Sequence, residues 1–357
     1  MNRYRNSIVS LLFTFISQAL YTPLAAQTPA GALPFIMDMV HNNPGEAPYT
    51  TKYNDPAYMA SQGFNGMVTQ WFVNCAITYD NYEKNIVPAK SIERQWIEQK
   101  ATEIDQKLAA CKKAGMNVYP FTDFIVFPES VWTKYGASLS GAEKVEGTGG
   151  MDARARKPDM QSKRTQDLLR AQVAGIFNRF PQLDGLVLRF GETYLHDAPY
   201  HMGGSPIRSG DAGIEDQVTM INILREEICV KRNKKLFYRT WDFGYNFHNN
   251  PAYYLAVTNR VEPHPNLVFV IKYQQDDFLR MTPFNPTLGI GRHQQLVEAQ
   301  SRMEAYGKGA HPYYSAKGVI DGWPETANEI SFGSHRFTGR RNDTANPRGI
   351  KDILNRD

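Results

Sequence analysis

The strongest constraint on the fold is a regular alternation of short apolar runs with longer segments of helical periodicity, beginning at Pro34. Strands are predicted at 35–40, 66–72, 117–122, 185–189, 235–240, 267–273 and 294–299. Helices are predicted between them at 92–114, 166–180, 214–232 and 252–261. Such alternation without a break in composition predicts an α/β protein with a parallel sheet in one domain.

Both an open doubly wound sheet and a closed barrel fit this alternation. A dinucleotide-binding sheet would carry a Gly-rich loop after its first strand, and the sequence has none there. Polar, charged or aromatic residues instead follow nearly every predicted strand, among them His41, Trp71, Asp123, Glu192, Trp241, Asp277 and Glu298. Because (β/α)8 barrels build their sites at the C-terminal ends of the strands, we expect a (β/α)8 TIM-type barrel. Two long inserts at that end, 127–163 and 194–213, are expected to be substrate loops.

The two ends of the chain differ from this barrel. Residues 1–26 combine Arg3 and Arg5, an apolar run and small residues before the end at Ala26, which is the pattern of a secretory signal peptide. The apolar run is shorter than the roughly 20 residues that span a bilayer, so we expect an exported protein, periplasmic or extracellular. The barrel domain is predicted over 34–333. Segment 334–357 is a basic tail without an apolar strand, so we expect a truncated chain whose barrel is incomplete at the eighth strand.

Composition excludes several kinds of protein and partner. The hydrophobic fraction of 42% is too high for a disordered chain, and a net charge of +4 is too small to indicate a nucleic acid partner. No stretch of the mature chain is apolar enough to span a membrane. The sequence leaves the oligomeric state open.

The cysteines and histidines predict neither a metal nor another cofactor. Three cysteines cannot staple 357 residues, so a core must hold the fold. Cys229 is expected to be a buried thiol inside a helix, and a Cys75–Cys111 bridge is left open. Neither a CxxC pair nor a His at zinc spacing is present, so no metal site is predicted.

Three carboxyl-bearing segments carry the predicted chemistry. Glu192 comes just after the strand at 185–189, where partial desolvation would raise its pKa and suit a general acid. Alternatively it caps the next segment or pairs with Arg189. Asp277 follows Asp276, and adjacent aspartates are more often a solvated turn or a helix cap. Glu298 interrupts an apolar strand and could point into the barrel or away from it.

In this order the three segments resemble the catalytic barrel of the α-glucuronidases of glycoside hydrolase family 67. That family has a Glu after the fourth strand, a Lys five residues ahead of an Asp-Phe after the sixth, and a Glu-x-Gln on the seventh. The counterparts are Glu192, Lys272 with Asp277-Phe278, and Glu298-Ala299-Gln300, followed by Glu304-Ala305-Tyr306-Gly307. The resemblance covers roughly 35–314 and is that of a distant relative.

The resemblance implies an inverting, exo-acting glycosidase for a uronic-acid-bearing oligosaccharide or polysaccharide. Glu192 would protonate the leaving oxygen, while Asp277 and Glu298 would activate a water. Arg239 and Lys272 would hold the uronic carboxylate, and Arg189 lies near the position of a basic residue on the family's fourth strand. Internal pairing of these cations with the catalytic carboxylates is the alternative.

The remaining predicted substrate-binding residues are Trp71, Trp241, Asp123 and His41. The two tryptophans follow strands, where sugar rings stack on aromatic faces, although most aromatic residues of the chain must belong to the core. Two other functions stay open: a barrel glycosidase acting on a different sugar, and a non-catalytic carbohydrate-binding or degenerate relative.

Overall fold

The computed structural model describes residues 37–39, 52–145, 152–190, 193, 195–241, 246–275, 284–299, 331–332 and 335–336. The chain divides into the units Met1–Phe35 and Ile36–Asp357, and every described residue belongs to the second. The predicted site residues His41, Glu192 and Asp277 lie outside the described residues, as does the signal segment. Of the residues after 299, only a short antiparallel pair, Ser331–Phe332 with His335–Arg336, is described.

Seven strands form one sheet in which every neighbouring pair is parallel and the spatial order follows the chain. They are β1 Met37–Met39, β2 Gly66–Thr69, β3 Asn117–Asp123, β4 Gly185–Arg189, β5 Lys235–Arg239, β6 Leu267–Lys272 and β7 Gln294–Glu298. All seven predicted strands are confirmed. Within the described residues β1 and β7 are the two edges of the sheet. The described strands therefore form an incomplete (β/α)8-type barrel, as the sequence predicts.

Helices connect most of the consecutive strands. They are α1 Pro56–Ser61, α2 Ile92–Lys113, α3 Glu129–Leu139, α4 Lys163–Arg179, α5 Ala212–Leu224 and α6 Pro251–Thr258, with α5 continuing into a π-helical turn at Arg225–Val230. The four predicted helices are confirmed as α2, α4, α5 and α6. The Ser91 hydroxyl caps α2 by accepting the Arg94 N–H, and Gly115 follows its last turn in the left-handed region.

The two faces of the sheet carry different residues, because successive side chains of a strand point to opposite sides. One face packs on the helices and contributes Val118, Leu186, Leu188, Leu236, Tyr238, Leu267, Phe269 and Ile271 to the main apolar core. The inner face carries Tyr119, Phe121, Val187, Phe237, Val268 and Val270, which are also buried. The Tyr119 and Phe237 rings on this inner face meet edge to face with centroids 4.9 Å apart. They lie on β3 and β5, two strands apart, so the sheet curls toward its inner face.

The two inserts pair with each other at the C-terminal end of the strands. The segment Val126–Pro128, where the first insert begins, forms an antiparallel ladder with His201–Gly203 of the second. A Cβ at Gly203 would lie 2.2 Å from the Ile125 carbonyl oxygen, so only glycine fits this crossing. The Arg154 guanidinium also donates to the carbonyls of Leu195 and Ala198. The first insert is more ordered than its sequence indicates, because it contains α3.

Cys75, Cys111 and Cys229 are buried free thiols. The open question of a Cys75–Cys111 bridge is therefore answered against the bridge, and the prediction for Cys229 is confirmed. None of the helices in the described part of the chain is long and apolar enough to cross a membrane.

Candidate functional site

Five charged side chains gather on the inner face of the sheet at the C-terminal ends of β3 to β7. They are Asp123, Arg189, Arg239, Lys272 and Glu298, and we refer to them as the strand-end cluster. The strand register aligns Asp123 with Arg189 and Lys272 with Glu298. Paired residues of parallel strands share a face, so Glu298 points to the inner face, which settles the direction that its sequence left open. Each strand of this half of the barrel thus supplies one charge.

Asp123 and Arg189 form a buried, bidentate ion pair between neighbouring strands. The Arg189 Nε and Nη2 atoms donate to the two carboxylate oxygens of Asp123, each at 2.5 Å. The side chains are only 5% and 4% exposed, respectively. A fork-to-fork pair of this kind fixes both groups in one geometry, because two parallel hydrogen bonds set the plane as well as the distance.

Arg239 and Glu298 form a second bidentate pair, this time between strands two apart. The distances are 2.5 Å from Nε to Oε2 and 2.6 Å from Nη2 to Oε1. Burial alone would raise the pKa of Glu298, but the charge and hydrogen bonds of Arg239, with smaller effects of Lys272 and His248, hold that pKa below its ordinary value. Glu298 is therefore an ionised carboxylate at neutral pH.

One aromatic ring lies against both arginines. Phe121 on β3 has the Arg189 guanidinium carbon 5.0 Å and the Arg239 guanidinium carbon 5.1 Å from its ring centroid. Both distances are within the range of cation–π attraction. Phe121 is buried and lies on the inner face of β3, two residues before Asp123.

Lys272 and Trp241 form the other side of the cluster. The Lys272 ammonium lies 3.6 Å from the centroid of the Trp241 ring, and the Lys272 side chain is buried. Trp241 lies two residues after the end of β5 and is partly exposed, so part of its surface is accessible. The His248 ring also contacts it, edge to face, with the ring centroids 5.1 Å apart.

His248 is buried beside the cluster in the neutral form. Its Nε2 atom faces the Gln274 carbonyl oxygen at 3.0 Å, and since a carbonyl can only accept, this nitrogen carries the proton. Nδ1 then accepts from the Thr240 hydroxyl at 3.0 Å. Burial, with a contribution from the Lys272 charge, lowers the pKa of His248 to about 4.

This low pKa predicts acid sensitivity. An unfolded histidine takes up a proton below about pH 6.5, whereas folded His248 resists protonation until about pH 4, so its contribution to stability is present above pH 6.5 and lost as the pH falls toward 4. Between pH 7 and pH 5 we expect this histidine to lower the free energy of unfolding by about 2 kcal/mol. Urea titrations of the wild type and of His248→Gln at both pH values measure the difference. Equal pH slopes in the two proteins would contradict it.

A strained turn after β2 attaches a further strand to the cluster. Phe72 has φ 54, a left-handed conformation that is rare for a bulky residue and costs about 1–3 kcal/mol. It leads into the short helix Val73–Cys75, in which Asn74 is buried and donates from Nδ2 to the Asp123 carbonyl oxygen at 2.9 Å. The Asn74 Oδ1 atom is buried without a partner among the described residues.

Of the predicted site residues, the structure brings Asp123, Arg189, Arg239, Lys272, Glu298 and Trp241 together. Arg189 and Arg239 form ion pairs inside the protein, which is the alternative that the sequence left open. Arg239 pairs with the predicted catalytic residue Glu298, whereas Arg189 pairs with Asp123. Trp71 follows β2, is half-buried and packs against the main apolar core. Its role in sugar stacking stays a prediction, as do the roles of Glu192, Asp277 and His41.

The sequence analysis did not single out Phe121, His248 or Asn74. Phe121 reads as an ordinary apolar strand residue, and its ring is reached by arginines from two other strands. His248 lies in a loop and Asn74 in the short helix Val73–Cys75, and neither segment has a recognisable sequence motif. Among the described residues, no three His, Cys, Asp or Glu side chains are arranged to hold a metal ion.

Comparison with known proteins gives weak structural similarity only. No family model and no curated protein matches the chain. A GH138 enzyme targeting pectin rhamnogalacturonan II is 14% identical with a TM-score of 0.37, and the match covers 64% of this chain and 30% of that enzyme. PbGH5A, a glycoside hydrolase family 5 enzyme from Prevotella bryantii B14, is 11% identical with a TM-score of 0.36, covering 68% and 60%. Dispersin B is 13% identical with a TM-score of 0.42, covering 86% and 90%.

The chain thus spans less than two thirds of the first two of these proteins. None of the three is described as a family 67 enzyme, so the resemblance to α-glucuronidases stays a prediction.

Proposed function

We propose that the protein is a glycoside hydrolase whose active site is the strand-end cluster. The observation that carries the proposal is the ionised Glu298, held by Arg239 on the inner face at the end of β7. A general base must be deprotonated at the working pH, and a carboxylate with a lowered pKa meets that condition. Each carboxylate oxygen has two acceptor sites, so a water can hydrogen-bond to Glu298 while Arg239 remains bound. Trp241 supplies an aromatic face at the same end of the barrel, on which a sugar ring can stack.

The finer proposal is an inverting, exo-acting enzyme for a sugar that bears a uronic acid. Glu192 would donate the proton to the leaving oxygen, and Asp277 would share with Glu298 the activation of the water. The charges of the cluster support an anionic substrate, because three of its five members are cations. Lysine and arginine form strong, charge-assisted hydrogen bonds with carboxylates, whereas a neutral sugar offers them no counter-charge.

The experiment that tests the proposal is release of reducing sugar from a panel of oligosaccharides, some ending in a uronic acid and some neutral. The anomer first formed is read by proton NMR. We expect release of a uronic acid with inverted configuration. Release of a neutral sugar alone would assign the barrel to a different substrate, and retention of configuration would contradict the roles given to the carboxylates.

Removing the charge of Lys272 separates the uronic-acid proposal from the neutral one. Lys272→Met is expected to raise KM for a uronic-acid substrate by about 10- to 100-fold, since a hydrogen bond to a charged group contributes about 1.5–3 kcal/mol. KM for the corresponding neutral sugar should not change. Lys112→Met is the control, because Lys112 is a partly buried lysine whose ammonium pairs with Asp184, which precedes β4 at the opposite end of the strands. An equal change of KM for both sugars in Lys272→Met would contradict the proposal.

A second candidate is a carbohydrate-binding protein without catalysis. It is favoured by one observation: both carboxylates of the cluster are engaged by arginines in bidentate pairs. Isothermal titration with the same oligosaccharides distinguishes the two candidates, because binding without any release of product would support this second one.

A further inference from the structure

The two arginines of the strand-end cluster are unusually close to one aromatic ring. Arg189 and Arg239 stand on neighbouring strands, and their guanidinium carbons lie 5.0 and 5.1 Å from the centroid of Phe121. All three side chains are buried. Two like charges in this setting repel each other more strongly than they would in water, because a buried site screens them less.

The surroundings offset this repulsion in two ways. Each guanidinium has its own carboxylate, Asp123 or Glu298, which compensates the charge. The negative face of an aromatic ring attracts cations as well, and this attraction is greatest where water is excluded. The Phe121 ring lies against both arginines, so it connects the two ion pairs across β3, β4, β5 and β7.

We infer that Phe121 is a positioning residue that holds the guanidinium groups of Arg189 and Arg239 in their bidentate geometry on Asp123 and Glu298. The two ion pairs then behave as one unit. The inference deepens the proposed function, and only its consequence for turnover rests on that function. A leucine or methionine at this position would fill a similar space, but it would offer the two cations no π-face.

The ionisation of Glu298 reports this positioning. Besides Arg239, the charged or titratable groups of the described residues that act on Glu298 are Lys272 and His248. Within the described part of the chain, both of these contact the Trp241 ring and not the Phe121 ring. If the ring is lost, Arg239 is held less firmly and stabilises the carboxylate less. In Phe121→Met we therefore expect the pKa of Glu298 to rise by about 0.5–1 unit, because only part of the strength of a desolvated cation–π contact reaches the carboxylate through Arg239.

The measurement is a carbon-13 NMR titration of Glu-labelled protein, with the Glu298 signal assigned through Glu298→Gln. Phe269→Met is the matched control, because Phe269 is an equally buried strand residue that faces the helices and packs on aromatic rings. This control should lose similar packing and leave the pKa of Glu298 unchanged. Phe121→Tyr, which keeps the ring, should restore the wild-type value. A Glu298 pKa that is the same in Phe121→Met and in the wild type would overturn the inference.

A measurement on the wild type avoids dependence on the folding of any variant. With ring-labelled phenylalanine, nuclear Overhauser contacts from Phe121 to the Nε protons of both Arg189 and Arg239 are expected. Contacts to only one of them would overturn the inference. Both NMR measurements are independent of turnover, so their failure is distinguishable from a failure of the glycosidase assay. If the protein is a glycosidase, kcat of Phe121→Met should decrease and its pH profile shift with the pKa of Glu298, while KM stays close to that of the wild type.

Discussion

Replacing Asp123 by alanine is expected to lower the free energy of unfolding by about 3–5 kcal/mol, which is a large part of the stability of an ordinary domain. The reason is that the positive charge of Arg189 stays buried when its carboxylate is removed. Arg189 is 5% exposed and donates two hydrogen bonds to the Asp123 carboxylate, so without that carboxylate a guanidinium group stays buried without its compensating charge. A cation in that position has lost its hydration and the attraction that offset the loss.

Urea denaturation at neutral pH measures this effect, and two further variants serve as controls for its cause. Asp80→Ala removes the carboxylate of an ion pair with Arg94 in which the two side chains are 35% and 20% exposed. That loss is expected to stay below about 1 kcal/mol, because water screens the pair and rehydrates the remaining arginine. The double variant Asp123→Leu/Arg189→Met removes both buried charges and should recover most of the stability. If Asp123→Ala and Asp80→Ala had equal effects, the Asp123–Arg189 pair could not be a desolvated one.

The sequence predicts the central strands β3 to β6 well because nearly all of their residues, on both faces, are buried. Strands covered by helices on one side and by the barrel interior on the other become continuous apolar runs, such as LVFVIK in β6. The residues at which the strands end are less predictable. The run at 66–72 continues through Trp71 and Phe72, but β2 ends at Thr69 because Phe72 adopts a left-handed conformation. Backbone turns of this kind depend on what the following loop contacts, here the Asp123 carbonyl.

Helix α3 was not predicted for a different reason. Its sequence, ESVWTKYGASL, contains a glycine and two β-branched residues and begins without a side-chain cap. Its stability comes from contacts made at a distance. The Trp132 indole donates to the Met202 carbonyl of the other insert, and the Ser130 hydroxyl to the Glu93 carboxylate of α2. The helix propensity of a segment does not reflect contacts with residues that are distant in the sequence.

The candidate site, too, could be predicted only in part. The types and strand positions of its charged residues could be read from the sequence, since a charge at the end of an apolar run stands out. Their pairing could not, because it depends on the curl of the sheet. Arg239 reaches Glu298 on a strand two positions away, and Phe121 contacts arginines from both β4 and β5. A residue such as Phe121 acts through its ring in a place where the sequence predicts only a core side chain.

The proposed division of labour between the carboxylates gives the largest expected effects on activity. Both Glu192→Gln and Glu298→Gln should lower kcat on natural oligosaccharides by about 10²–10⁴-fold, the usual contribution of a general acid or base. On an aryl glycoside with a good leaving group the two variants should differ. Such a leaving group departs without protonation, so Glu192→Gln should regain most of its activity. The water must still be deprotonated, so Glu298→Gln should stay inactive.

Steady-state kinetics on a pair of substrates with the same sugar and different leaving groups measures this contrast, and the two variants act as each other's control. Glutamine at 298 keeps an acceptor for Arg239 but removes the charge that Glu298 presents to it, so thermal melting has to show that the variant is folded at the assay temperature. If Glu192→Gln retained full activity on natural oligosaccharides, Glu192 could not be the acid. If Glu298→Gln recovered on the aryl glycoside as Glu192→Gln does, Glu298 would protonate the leaving group and would not activate the water. The lowered pKa of Glu298 argues against that outcome, because an acid that stays ionised can accept a proton from water but has none to donate to a leaving group.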